Sequence, residues 1–237
     1  MITLSITEED IFTALGNALT NFLPASVAVV RGQQNRVPEP AGTDFVVMWP
    51  LLRPRLSQNV DSYADIAFIG SISGLVLTVT QMLQGTLTAG LVLDAANLAA
   101  NTVLGTQISG SPAGGVGTYN VSPTQNLAST TFQAGSKDIM QPIQFTAQLD
   151  VHGPNSADNA QIITTLMRDE YGVSQFNLSG FDIEPLYCNE PRQMPFINGE
   201  QQQEERWIVE AVMQANPIVS VPQEFAGSVS VTIIDVL

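Results

Sequence analysis

From Ile66 to Ser136 the chain carries a single charged residue, Asp94, in a run dominated by Gly, Ser, Thr, Val and Leu. That run constrains the fold more than any other feature. A membrane-spanning helix needs about 20 consecutive apolar residues. The most apolar stretch, Ile66 to Ala100, is interrupted by Gly70, Gly74, Gly85, Gly90 and Asp94, so it makes no such helix. Two parts alternate as strands do: Leu75, Leu77 and Val79 against Val76, Thr78 and Thr80, then Tyr119 and Val121 against Thr118 and Asn120. Gly114, Gly115 and Gly117 make a turn between runs. Residues 66–136 therefore read as a small all-β module inserted into a longer domain.

The flanking sequence has a different style. Thr7 followed by Glu8, Glu9 and Asp10 starts a helix, with a capping hydroxyl and acids at the positive end of the helix dipole. Ile11, Phe12, Leu15, Ala18, Leu19, Phe22 and Leu23 then share one face, and Pro24 closes the helix. Strands are expected over 26–31 and 44–52. After Pro142, the residues Ile143, Phe145, Ala147, Leu149 and Val151 alternate with Gln144, Thr146, Gln148, Asp150 and His152, the pattern of a half-buried strand. Ser156 caps a second helix running to about Tyr171, followed by strands near 183–187, 207–215 and 229–233. The fold class is α+β, a mostly antiparallel sheet with two helices packed on one face. Its domain is discontinuous, 1–65 and 137–237, around the 66–136 insert.

Charge narrows the function. Charged residues make up 13% of the chain against roughly 25% in a typical soluble domain, so the surface depends on amides and hydroxyls and is easily buried against a partner. The net charge is −14, and among 8 basic residues Lys137 is the only lysine. No basic run exists to neutralise phosphates, which excludes nucleic-acid binding as a primary function. The single cysteine, Cys188, has no intramolecular disulfide partner, and no C-x-x-C pair offers a metal site. The N-terminus lacks the basic region and apolar stretch of a secretory signal, so a soluble protein made in a reducing cytoplasm is expected.

No catalytic, cofactor-binding or metal-binding residue is identified. His152, the only histidine, lies two residues from Asp150 on one strand face, but no G-x-S-x-G nucleophile accompanies them. A histidine at a strand end before Gly-Pro reads as a turn or hydrogen-bonding residue. The carboxylates of Glu204 and Glu205, like those of Asp169 and Glu170, are sequence neighbours and do not face one another. Gly114-Gly115-Val116-Gly117 lacks the Gly-Lys-Ser/Thr ending of a phosphate loop. The row Gln144, Thr146, Gln148 and Asp150 has two readings, an ordinary solvated sheet face or the amide- and hydroxyl-lined wall of a channel.

Three segments, Val30 to Pro40 (VRGQQNRVPEP), Leu149 to Ala160 (LDVHGPNSADNA) and Pro191 to Glu200 (PRQMPFINGE), resemble the phage neck terminator family, a group of tail-completion proteins. The resemblance covers the chain to about residue 65 and again beyond about residue 137. The insert, with GSISGLVLTVT, GGVGTYNVS and Gln125, resembles a small β module of phage structural proteins, although Ala95 to Val103 lacks the glycines of such a module. The family implies a tail-terminator-like fold and a ring of six subunits in the virion neck, assembled in the host cytoplasm. Its implied partners are copies of itself, a tail tube or sheath protein, and the head–tail connector, with DNA passing unbound and no membrane. Arg31, Asn35, Arg36, His152, Asn155, Arg192, Phe196 and Asn198 are then the candidate assembly residues, and Gln144, Thr146, Gln148 and Asp150 the candidate lumen face. A different class stays open, a baseplate, decoration or host-surface binding component acting through the inserted module.

Overall fold

The computed structural model describes residues 2–32, 40, 42–197, 203–223 and 225. The chain runs β1 (Thr3–Leu4), α1 (Glu8–Phe22), β2 (Ala28–Arg31), β3 (Phe45–Leu52), β4 (Val60–Gln84), β5 (Leu93–Asp94), β6 (Val103–Ser109), β7 (Gly117–Met140) and β8 (Ile143–His152). It continues through α2 (Ser156–Leu166), α3 (Glu170–Asn177), β9 (Ile183–Cys188), β10 (Arg192–Gln193), β11 (Phe196–Ile197), β12 (Gln203–Glu204), β13 (Arg206–Ala215) and β14 (Ile218–Pro222). The expected strand at 229–233 lies outside the described residues.

The chain divides into two compact units. The helical unit comprises Leu4–Val60 and Met140–Ile218. Its sheet has the order β10-β13-β8-β3-β2, with β9 also pairing β13. Every pairing is antiparallel except β2 with β3, which is parallel. The sheet and helices form the α+β layer that the sequence pattern implies. Thr7 closes a capping box at the start of α1: its hydroxyl accepts from Asp10 N at 3.2 Å, and Asp10 accepts from Thr7 N at 2.7 Å. The Thr7 hydroxyl, which also donates to Asp10 Oδ2 at 2.7 Å, and then the Thr7 amide hold the Asp10 carboxyl below its usual range. The apolar face of α1 buries Ile11, Phe12, Leu15 and Leu19 against the sheet, where Phe12 meets Phe145 edge-on at 5.5 Å. The same sheet face presents Val46 and Met48 from β3, Leu149 and Val151 from β8, and Val209, Ala211 and Met213 from β13.

Among the described residues there are three helices rather than two. The segment read as one helix to Tyr171 stops at Leu166, and Asp169 restarts it by accepting a hydrogen bond from Tyr171 N at 2.9 Å. A carboxylate that caps its own downstream amides ends one helix and begins another. The cap of α2 is Asn155 and not Ser156, whose hydroxyl is buried without a partner among the described residues.

The second unit comprises residues 61–139 with the described residues at 2–3 and from 219 onward. Its sheet has the order β1-β14-β7-β4, with β5 and β6 also on β7. β4 doubles back at Gly74 (φ 64°), where Thr80 Oγ1 donates to the Ile69 carbonyl at 3.1 Å. Phe68 and Phe132 stack at 5.0 Å within a core that includes Leu77, Leu104 and Tyr119. Asn97 (φ 61°) and Asn101 (φ 58°) adopt the left-handed conformation where the sequence offers no glycine, a region that asparagine tolerates better than other non-glycine residues. Gln125 secures that loop, accepting from Ala99 N at 2.9 Å and donating to Thr102 Oγ1 at 2.8 Å.

Candidate functional site

The polar row of β8 is the first place to look for a site, because β8 is the central strand of the helical unit. β13 pairs with it from Arg206↔His152 to Ala215↔Ile143, and β3 from Phe45↔His152 to Leu52↔Thr146. Directly paired residues share a face, so the row Gln144 to His152 lies between Phe45, Val47 and Trp49 on one side and Arg206, Ile208, Glu210, Val212 and Gln214 on the other. In the single chain this face is drier than alternation along one strand suggests. Thr146 and Asp150 are buried at 4% and 5% exposure, while Gln144 and Gln148 are half-buried. Alternation along one strand reveals two faces, but only the flanking strands decide how dry each becomes.

Burying Asp150 as a carboxylate requires compensation. Arg206 donates to it at 2.7 Å and Gln148 Nε2 at 2.8 Å. His152 is also buried: its ring stacks on Phe45 at 4.5 Å, and its Nδ1 lies 2.8 Å from Glu204 Oε1. The conceivable Asp150–His152 pair thus resolves into two pairings, each with a residue of the β12–β13 segment. Beside them, an open depression of ≈ 380 Å³ is lined by Gly42, Thr43, Phe45, Gly153, Pro154, Glu204 and Glu205. Gly153 (φ 101°) is required there, since a Cβ would lie 2.1 Å from the Thr43 carbonyl oxygen. Among the described residues, no three His, Cys, Asp or Glu side chains converge where a metal ion could sit. Cys188 is buried, and that burial pushes its thiol up to about 12, against a smaller lowering by Arg168.

The other candidate assembly residues are scattered. Arg31 pairs with Glu8 at 2.5 Å and with Glu9, and its guanidinium lies 4.3 Å from the centre of the Phe12 ring. It ties β2 to the start of α1. Asn155 is held by Asp44, which accepts from its backbone N and its Nδ2, both at 2.9 Å. Arg192, largely exposed, reaches Glu210 at 2.8 Å. Phe196 stands in β11, paired in register with Glu204 of β12. Asn35, Arg36 and Asn198 lie outside the described residues. The structure brings His152 and Asp150 into one polar cluster with Glu204 and Arg206, which sequence reasoning missed. No signal in either strand alone fixes their register. The one hint was that acidic and basic residues stand at the start of β13, across from the end of β8.

No curated protein matches the chain. A family model described as phage neck terminator protein matches residues 73–236, more than half of the sequence. The match takes in both the β-rich segment and the strands and helices that follow it. The chain belongs to the phage neck terminator protein family.

Proposed function

We propose that the chain is a ring-forming subunit that caps the phage tail and joins it to the head connector while DNA passes through. Its work is structural, without turnover chemistry or a cofactor. Its partners are other copies of itself, six to a ring, together with the tail tube or sheath protein and the head–tail connector. Membership of a neck terminator family carries this reading, and the physical chemistry agrees with it. A net charge of −14 disfavours adhesion to a duplex, and a surface with few charges suits burial between subunits. Of the polar β8 row, only the half-buried Gln144 and Gln148 retain the access to meet passing DNA. In this reading 1–65 and 137–237 build the ring, and 66–136 is the module added to it.

Native mass measurement of the purified protein, with electron microscopy of the rings and of intact virions, tests the proposal. A closed ring located at the neck is expected. A strictly monomeric protein absent from the particle ends the idea. The competing role as a host-surface or baseplate component is favoured by Leu75, Leu83 and Ile108, apolar side chains exposed within the 66–136 segment. Deleting residues 70–135 separates the two. Particles that assemble but fail to adsorb support binding, whereas overlong tails or unattached heads support the terminator.

A further inference from the structure

At the end of the helical unit's sheet where β8 begins, four lanes lie side by side. Ile183 of β9 pairs with Ala215 of β13, Ala215 with Ile143 of β8, and Ile143 with Arg55 of the segment after β3. That segment continues the β3 lane: Gln144 N donates to the Pro54 carbonyl and Leu56 N to the Pro142 carbonyl, both at 2.9 Å. β2 covers β3 only at Phe45–Met48, so the outer side of this arm has no strand partner among the described residues. The outer side of β9 likewise has none. Among the described residues the sheet thus ends in two open edges on opposite sides.

The two edges have complementary chemistry. Every residue from 51 to 60 is exposed, including Leu51, Leu52 and Leu56. Arg53 and Arg55 make no ion pair among the described residues, where the Arg55 side chain donates to Asn59 Oδ1 at 2.9 Å. The other described basic residues are occupied, Arg31, Lys137, Arg192 and Arg206 by carboxylates and Arg168 by the Cys188 carbonyl and the Tyr187 ring. The opposite edge carries Leu186 and Tyr187, exposed, flanked by Asp182, Glu184 and Glu190, none of them in an ion pair among the described residues. Burial, and then the charge of Asp182, push the Glu184 carboxyl above its usual range.

We infer that these two edges are the ring contact: the Leu51–Leu56 arm of one copy docks on the β9 edge of the next. The occupant is a second copy of this chain, because the only two uncommitted arginines described are exposed beside leucines on one edge, while the acids Asp182, half-buried Glu184 and Glu190 stand beside Leu186 and Tyr187 on the other. A contact between two different patches is the kind that closes a ring. The β3 lane and β9 run antiparallel to each other across the sheet, so a laterally repeated copy brings them together antiparallel. Pro54 and Pro185 remove donors from both edges, which makes the contact one of side chains rather than a continued hydrogen-bond ladder.

This inference rests on the ring reading, and one experiment separates the two. The full-length wild type, the arm variant Arg53→Glu/Arg55→Glu and the edge variant Glu184→Lys/Glu190→Lys are compared by sedimentation velocity and native mass spectrometry. Far-ultraviolet spectra and thermal unfolding check that each variant is folded. The wild type forms the ring, and each reversed variant weakens association by at least about a hundredfold, since like charges then meet across the contact. Mixing the two variants restores oligomers, because reversed arm meets reversed edge and native arm meets native edge. If Glu184→Lys prevents folding, the exposed Leu56→Asp and Leu186→Asp, made singly, replace the reversed pairs and must each break the ring. A wild-type monomer at every concentration overturns the ring reading and this contact together. A wild-type ring that survives in the folded variants overturns the contact alone.

Discussion

At the scale of single residues, two ion pairs with the same chemistry differ in worth because of burial. The Asp150 side chain is 7% exposed and that of its partner Arg206 20%. Arg192, by contrast, is 66% exposed beside Glu210. Replacing Asp150 with Asn removes the carboxylate charge from a largely buried ion pair. We expect a loss of roughly 3 kcal/mol, the low end for a broken buried pair because Arg206 keeps some access to water. Arg192→Ala should cost less than about 1 kcal/mol, as exposed pairs do. Urea unfolding of both variants checks the contrast, and equal losses would contradict it. Cys188 gives a pH dependence. Its thiol, ordinarily near 9.0 and pushed up to about 12 by burial, stays protonated in the folded chain while the unfolded thiol ionises. The unfolded state therefore binds fewer protons between pH 9 and 12, and stability falls with rising pH across that window. Native protein at pH 8 should resist iodoacetamide, and denatured protein should react. None of these partnerships was legible in the sequence. Asp150 and His152 stand two apart on one strand, but whether they face each other or a neighbouring strand depends on a register that neither strand encodes alone.

Individual elements were more legible, for local reasons. Thr7, the three acids after it and the apolar spacing of α1 all act within one or two turns, so the helix follows from its own residues. β8 was equally plain as an element, but how dry its polar row becomes depends on β3 and β13, which lie far along the chain. The second helix was read too long because Asp169 resembles any other exposed acid until it is seen capping Tyr171. The loop after β5 carries the element-scale prediction. Asn97 and Asn101 take left-handed backbone angles that a β-branched side chain resists. Asn101→Val should destabilise the 61–139 unit by about 1–2 kcal/mol, and Asn101→Gly should be nearly neutral. Thermal unfolding of the two variants decides this; a neutral valine would mean that the loop relaxes into another conformation.

For the whole molecule, the decisive quantity is charge, and it was readable from the first inspection. A duplex is held by cations that release its condensed counterions, and each phosphate neutralised steepens the salt dependence of binding. This chain has 22 acidic and 8 basic residues. Four of those basic residues are already paired with carboxylates in the fold. The ring contact inferred above would use Arg53 and Arg55 as well. A subunit assembled in that way presents a passing duplex with amides, hydroxyls and carboxylates, and almost nothing that competes with the duplex's own counterions. Fluorescence anisotropy with a short labelled duplex should therefore detect no binding at about 50 mM salt, even at 100 µM protein, near the weak limit of ordinary non-specific association. The arm variant Arg53→Glu/Arg55→Glu should behave the same way. Salt-sensitive binding by the wild type that this variant abolishes would assign the two arginines to DNA rather than to a neighbouring subunit, and the neck would then grip its cargo instead of letting it slide.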